Sequence, residues 1–244
     1  MICQLCRNDK KLIKAHIIPK GFFRQLRSER RSPEIHTNKE GEHPKRAPIG
    51  IYDTGILCAE CDNRLAPWDN HAQQVLLQNF SEDLAIYHNR QKIAYRIADF
   101  DYKLLKLFFI SLLWRASIST HKFYQRVSAG PFEQQLKEMI LSEDPGPPLM
   151  FAVTLARFSD PVVTGVLDPH RDKFEGINYC RFYLTGFVAY IKVDSRSVPD
   201  FMKDLYLRPD TPIKVILRDF HHSKDGVVMK DILRKSVRTH YTNA

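Results

Sequence analysis

Hydrophobic and polar positions change their period along this chain, and each change predicts a different element. Between 61 and 80, in "CDNRLAPWDNHAQQVLLQNF", Leu65, Trp68, Ala72, Val75 and Leu76 recur at three-to-four spacing, the signature of an amphipathic helix. Pro67 lies inside that run and predicts a short break or a fresh helix start, because proline lacks a backbone donor. "QKIAYRIADF" alternates as a strand does. Residues 102–119 are apolar nearly all round and read as a buried helix. "GPFEQQLKEMILSED" carries Gly130 and Pro131 at its start and Phe132, Leu136, Met139 and Ile140 at helical spacing. "EDPGPP" then breaks the chain sharply.

Strand-like runs follow: "LMFAVTLARF", "NYCRFYLTGFVAYIKV" and "PIKVILRDF". A short amphipathic helix, "VPDFMKDLYL", interrupts them, and "VVMKDILRKSVRTHY" closes the chain as a helix. "DPHRDKFEG" reads as an exposed loop, and "FHHSKDG", with His221 and His222, as a polar turn. Residues 83–244 are therefore expected to form an α+β domain with a mainly antiparallel sheet, suited to binding a partner or substrate. Residues 1–82 are expected to form a separate unit.

Composition narrows the class. The 244 residues are 43% hydrophobic and 27% charged, which suits a soluble globular protein with a full core. Lys106 and Arg115 bound an uncharged apolar run of only eight, residues 107–114, far below the roughly 20 that a membrane span needs. No secretory segment is evident, so a cytoplasmic location is expected. The net charge is +9, and residues 1–50 carry most of the excess, with 12 Lys/Arg against 5 Asp/Glu. A basic segment suits a polyanion such as nucleic acid, or is simply a solvated loop. The chain has no glycine-rich phosphate loop, no nucleophile elbow and no internal repeat.

Four of the five cysteines form two C-x-x-C pairs, "CQLC" (Cys3, Cys6) and "CAEC" (Cys58, Cys61). Two such knuckles complete a tetrahedral structural zinc site. A disulfide framework fits less well without secretion, and neither pair follows a strand as in thioredoxin-like redox motifs. Cys180, between aromatics, reads as a small buried hydrophobe. The 51 residues between the knuckles hold "KLIKAHIIPKGFFR", whose His16 is open to three readings: a packed residue bonded to backbone, a metal ligand, or a catalytic base. The order is knuckle, strand with His16, insertion, strand, then a knuckle leading into a helix.

"CQLC", "AHIIPK" and "ILCAECDN", in that order, resemble the zinc-stabilised HNH endonucleases of the His-Me finger group. The resemblance covers about residues 1–80. It implies an N-terminal zinc-bound treble-clef (ββα-metal-like) finger, with Cys3, Cys6, Cys58 and Cys61 as scaffold ligands. It makes His16 the general base for phosphodiester hydrolysis in DNA, assisted by one Mg2+ or Mn2+ ion. Asp62 and Asn63 stand at the motif's final position. Asp62, and one or two turns later Asp69 and His71, are candidate ligands for the catalytic metal. Ala15 stands where the family commonly has a ligand, and "IYDTGIL" offers only Asp53 at the motif's middle position. His36 and His43 match no motif position. Lys20, Arg24, Arg27, Arg30 and Arg31 are candidate phosphate contacts. Proteins with such a finger and an extra domain look like bacterial defence or mobile-element effectors, with a protein partner for the second domain. The alternative is a non-catalytic zinc module, a degenerate finger that binds nucleic acid or protein.

Overall fold

The computed structural model describes residues 1–24, 26, 34–36, 44–160 and 166–241. Arg27, Arg30, Arg31 and His43 lie outside the described residues. The first third contains β1 (Ala15–His16), α1 (Lys20–Arg24), the short pair β2 (Glu34–Ile35) and β3 (Lys45–Arg46), β4 (Tyr52–Asp53) and the long helix α2 (Ala59–Gln73). A hairpin, β5 (Ala85–His88) and β6 (Gln91–Ile97), leads into α3 (Tyr102–Ile118) and α4 (Glu133–Ser142). Then come β7 (Val153–Phe158), β8 (His170–Phe174), β9 (Ile177–Leu184), β10 (Phe187–Lys192), β11 (Ile213–Arg218) and α5 (Lys224–Tyr241).

Seven strands form one sheet in the order β5-β6-β11-β7-β10-β9-β8. Every neighbouring pair is antiparallel except β11 with β7. The strand-like "NYCRFYLTGFVAYIKV" folds back on itself as β9 and β10 through Thr185 and Gly186, both at positive φ. Such a two-residue turn matches the twist of the strands it joins. Alternate residues of this hairpin enter two cores. Cys180, Phe182, Phe187 and Ala189 face the helices, and Tyr179, Tyr183, Val188 and Tyr190 face the side where Met229 and Ile232 of α5 pack. A strand buried on both faces reads as a continuous apolar run, which is why its period is hard to see in the sequence.

Three expectations change. Pro67 sits inside an unbroken α2. It is on the exposed side, where water can take up the carbonyl that its missing N–H leaves free. "VPDFMKDLYL" makes only a single 3-10 turn, Asp200–Met202, because the backbone beyond it is drawn to β7 through the Tyr206–Thr154 bridge and the Leu207 N–H to Val153 carbonyl bond. "DPHRDKFEG" is not a loop but mostly the edge strand β8, with Glu175 and Gly176 turning into β9. Its polar alternation hides it: Arg171 and Lys173 are exposed while His170, Asp172 and Phe174 are half-buried.

The buried core does not break at the expected boundary between residues 82 and 83. Leu5, Ile17, Ile18, Phe22, Leu65 and Trp68 belong to the same cluster as Phe108, Leu112, Phe182 and Phe187. Helix α3 is central to it, and Phe22 of α1 stacks on Phe108 at 6.0 Å. Asp101 caps α3 by accepting the Leu104 N–H. The apolar character of α3 thus reflects packing on all sides, and among the described residues no helix is long and apolar enough to cross a membrane.

Two buried charges interrupt α3, nine residues apart and therefore on opposite faces. Lys106 is fully buried and donates to the carbonyls of Met150 and Phe151, at 2.8 and 2.6 Å. Burial, and then the nearby Lys192 charge, push its amine down to about 7, whereas an unfolded chain holds that proton to about 10.4. Between those pH values the unfolded state binds the extra proton, so Lys106 makes stability rise with pH from about 7 to about 10. Lys106→Met should flatten that rise, read as urea-unfolding free energy against pH for both proteins. An unchanged slope would mean that Lys106 keeps its charge in the core.

Candidate functional site

The two cysteine pairs are brought together by backbone pairing rather than by the cysteines alone. Leu12 bridges Cys58, the Ile13 N–H donates to the Leu57 carbonyl at 2.9 Å, and the Gln4 N–H donates to the Ile56 carbonyl at 2.9 Å. Arg7 takes a positive φ of 62° just after the first pair, which turns the chain back. Cys58 precedes α2 and Cys61 lies in its first turn. As a result the four sulfurs of Cys3, Cys6, Cys58 and Cys61 all lie within 4.8 Å of one another. A zinc–sulfur length of 2.3 Å in a tetrahedron requires sulfurs about 3.8 Å apart, so the quartet is placed to bind one metal ion and its donor set fits zinc.

The sulfurs' surroundings are those of a cation site. Burial works to raise the Cys3 thiol, but backbone N–H groups of Cys6, Cys58 and Leu5 outweigh it and bring the thiol down to about 7. Burial, followed by the sulfurs of Cys58, Cys3 and Cys6, pushes Cys61 upward. Four crowded sulfurs cannot all ionise without a cation between them.

His16 stands on the β1–β4 ribbon, opposite Tyr52, while Ala15 stands opposite Asp53. Ala15 and Asp53 are buried; His16 and Tyr52 are half-buried. The His16 Nε2 is 2.9 Å from the Ile49 carbonyl oxygen, so Nε2 carries the proton and Nδ1 is left as the basic nitrogen. Burial lowers the His16 pKa, with the Lys20 and Arg115 charges, against the Ile49 bond and the Asp62 carboxylate, which raise it. The ring is therefore neutral at neutral pH and able to accept a proton.

Asp62, in the first turn of α2, lies within electrostatic reach of His16. Burial raises its pKa, opposed by Arg115 and His16. No side chain or backbone group among the described residues donates a hydrogen bond to its half-buried carboxylate. Asn63 is exposed one position on. Lys20 is close enough to act on His16, and Arg24 is exposed at the end of α1.

The other acidic and histidine candidates are engaged elsewhere. Asp53 accepts from Ser119 Oγ, the Thr120 N–H and the Gly55 N–H, each at 2.8 Å. Burial works to raise its carboxyl, and these donors outweigh it and hold the carboxyl below its usual range. His71 accepts the Asp101 N–H through Nε2 at 3.0 Å. Asp69 is held by both terminal nitrogens of Arg115, at 3.0 and 2.7 Å. Burial pushes the Asp69 carboxyl up, and the Arg115 charge and hydrogen bonds oppose this. Among the described residues only the cysteine quartet brings three or more potential metal ligands together.

Arg115 is the residue that sequence reasoning missed. It is 1% exposed, and it also donates to the His16 carbonyl at 2.7 Å and to Ser111 Oγ and carbonyl at 3.2 and 3.3 Å. The available signal was an arginine in an otherwise apolar helix, since a fully buried cation requires a partner.

Metal analysis of the purified chain should return one tightly bound ion, zinc by its thiolate preference. Cys58→Ser should lower its retention and lower the Tm of the whole molecule in one transition, because the core is shared. A metal-free native protein, or a disulfide within either pair, would overturn this. Arg115→Ala should cost about 3–5 kcal/mol in urea unfolding, because it strands the largely buried Asp69 carboxylate. Arg115→Met with Asp69→Leu should recover much of that loss. A double variant as unstable as Arg115→Ala would show that the stranded charge is not the cause.

The chain matches no protein-family model, no curated protein and no solved structure. Its function is therefore to be read from the chemistry of these residues.

Proposed function

We propose that this chain is a metal-dependent DNA endonuclease of the HNH type, built on a zinc-bound treble-clef finger. The observation that carries this reading is the His16 imidazole: its Nε2 is fixed by the Ile49 carbonyl, its Nδ1 is left basic, and an unbonded Asp62 carboxylate lies nearby. A backbone carbonyl that fixes one ring nitrogen sets the tautomer and aims the other nitrogen, which a general base requires. The ribbon, second knuckle and helix follow in the order that such fingers have, which supports the resemblance.

In this reading His16 takes the proton from the water that attacks phosphorus. Lys20 and Arg24 meet the phosphate backbone. Asp62 is the protein ligand for a divalent ion, which when bound stabilises the leaving oxygen. Asp69 and His71 hold the scaffold, and Asn63 stands beside Asp62 on the exposed side of α2. The chain then serves in defence or in a mobile element, and its sheet domain docks a partner.

A second reading is a finger that retains its structural zinc and binds without cutting. The burial of Ala15 and the engagement of Asp69 favour it, since together they leave Asp62 as the one uncommitted acid beside His16 among the described residues.

Wild-type protein should cut DNA only with added magnesium or manganese. His16→Ala should lower the rate about 10²–10⁴-fold, the usual contribution of a general base, with metal content unchanged and a cooperative unfolding transition retained. Asp62→Ala should raise the metal concentration needed. Full activity in His16→Ala would remove it as the base. A wild type inactive with every divalent ion tried would leave the binding module.

A further inference from the structure

The outward face of the β1–β4 ribbon holds a cation that the function above does not use. Lys14, immediately before β1, is exposed, and its ammonium lies over the Tyr52 ring, 5.2 Å from the centroid. Tyr52 is the cross-strand partner of His16, and the two rings meet edge to face at 6.1 Å. Lys14, Tyr52 and His16 therefore share one side of the ribbon, and the buried Ala15 and Asp53 take the other. Lys10, by contrast, is bound to Glu60. Lys14 pairs with no carboxylate among the described residues, and a ring face leaves ammonium hydrogens free for an anion.

Two positions along an extended chain separate same-side residues by about 7 Å. That is the scale on which successive phosphates follow one another along a nucleic-acid strand. We propose that this ribbon face is a two-phosphate seat for DNA, with the scissile phosphodiester at His16 and the next phosphate of the same strand at Lys14. Tyr52 is the positioning residue: it holds the Lys14 ammonium beside His16 and carries no charge itself. The inference rests on the reading of His16 as the base. It extends that reading by requiring a substrate with a phosphate next to the one that is cut.

The test uses the full chain with its metal site filled, in a His16→Ala background without added magnesium or manganese, and a short labelled DNA duplex. Binding is followed against salt. Adding Lys14→Ala should weaken affinity and reduce the slope of log affinity against log salt by about 0.9, the loss of one phosphate contact. Tyr52→Ala should weaken affinity in the same direction and add little to Lys14→Ala, while Tyr52→Phe, which keeps the ring, should bind as the parent does. Lys173→Ala, on the β8 edge of the other sheet, should leave the slope in place. An unchanged slope in Lys14→Ala would overturn the seat, as would an equal loss in Lys173→Ala or no DNA binding at low salt. The two readings fail separately. A wild type that cuts while Lys14→Ala keeps its full slope sinks the seat and leaves the base. Loss of the slope in a protein that never cuts supports the seat on a finger without catalysis.

Discussion

The Arg115 guanidinium has five N–H donors, and the structure supplies five bonds for them: two to Asp69, one to the His16 carbonyl and two to Ser111. A buried arginine with every donor used is fixed in direction as well as in charge. It joins three segments that are remote in sequence: the strand carrying His16, the helix that follows the second knuckle, and the central helix of the core. Removing its charge from water costs several kcal/mol, so the arrangement holds only because Asp69 and the His16 carbonyl are already in place. The position of the His16 backbone thus depends on a residue 99 positions away.

Other bonds fasten the same junction. Asp53 reaches Ser119 and Thr120 just past the end of α3, and His71 takes the N–H of the α3 cap residue. Lys137 of α4 donates to the Gln4 carbonyl inside the first knuckle, and Arg64 of α2 donates to the Leu141 carbonyl. Thr185, at the turn of the β9–β10 hairpin, donates to the Phe22 carbonyl of α1. Cutting the chain after residue 82 would strand several of these groups and expose one face of α3. The first third shares its core with the rest of the described chain, so a metal ion bound at the cysteines would stabilise more than the first third.

Much of this was legible in the sequence because its physics is local. The cysteine pairs, the His16 strand, α3, α4 and the antiparallel sheet each follow from spacing, period or a turn residue close by. Pro67 was misread because one exposed missing donor is cheap on a long helix. The β8 strand was misread because an edge strand with Arg171 and Lys173 outward looks like a polar loop. The roles of Asp53, Asp69 and His71 could not be read at all. Each is set largely by a partner between 30 and 67 positions away, and nothing near the residue encodes that partner.

Hydrogen-bond satisfaction separates these similar residues into two kinds. A buried polar group whose bonding capacity is used holds structure, because any second task would leave it unpaired. Asp53 and Asp69 are of this kind, and so is the Nε2 side of His16. A half-buried group left unbonded beside a basic nitrogen incurs a desolvation cost without gaining a partner, which is tolerated where something from outside completes the pair. Asp62 and the Nδ1 side of His16 meet that description; the Lys20 charge acts on His16, and Lys14 lies over the neighbouring Tyr52 ring. An anionic substrate, together with an ion that it carries in, would satisfy both sets of groups at once. In the reading proposed above, the permanent bonds orient His16 and a ligand would supply the remaining ones.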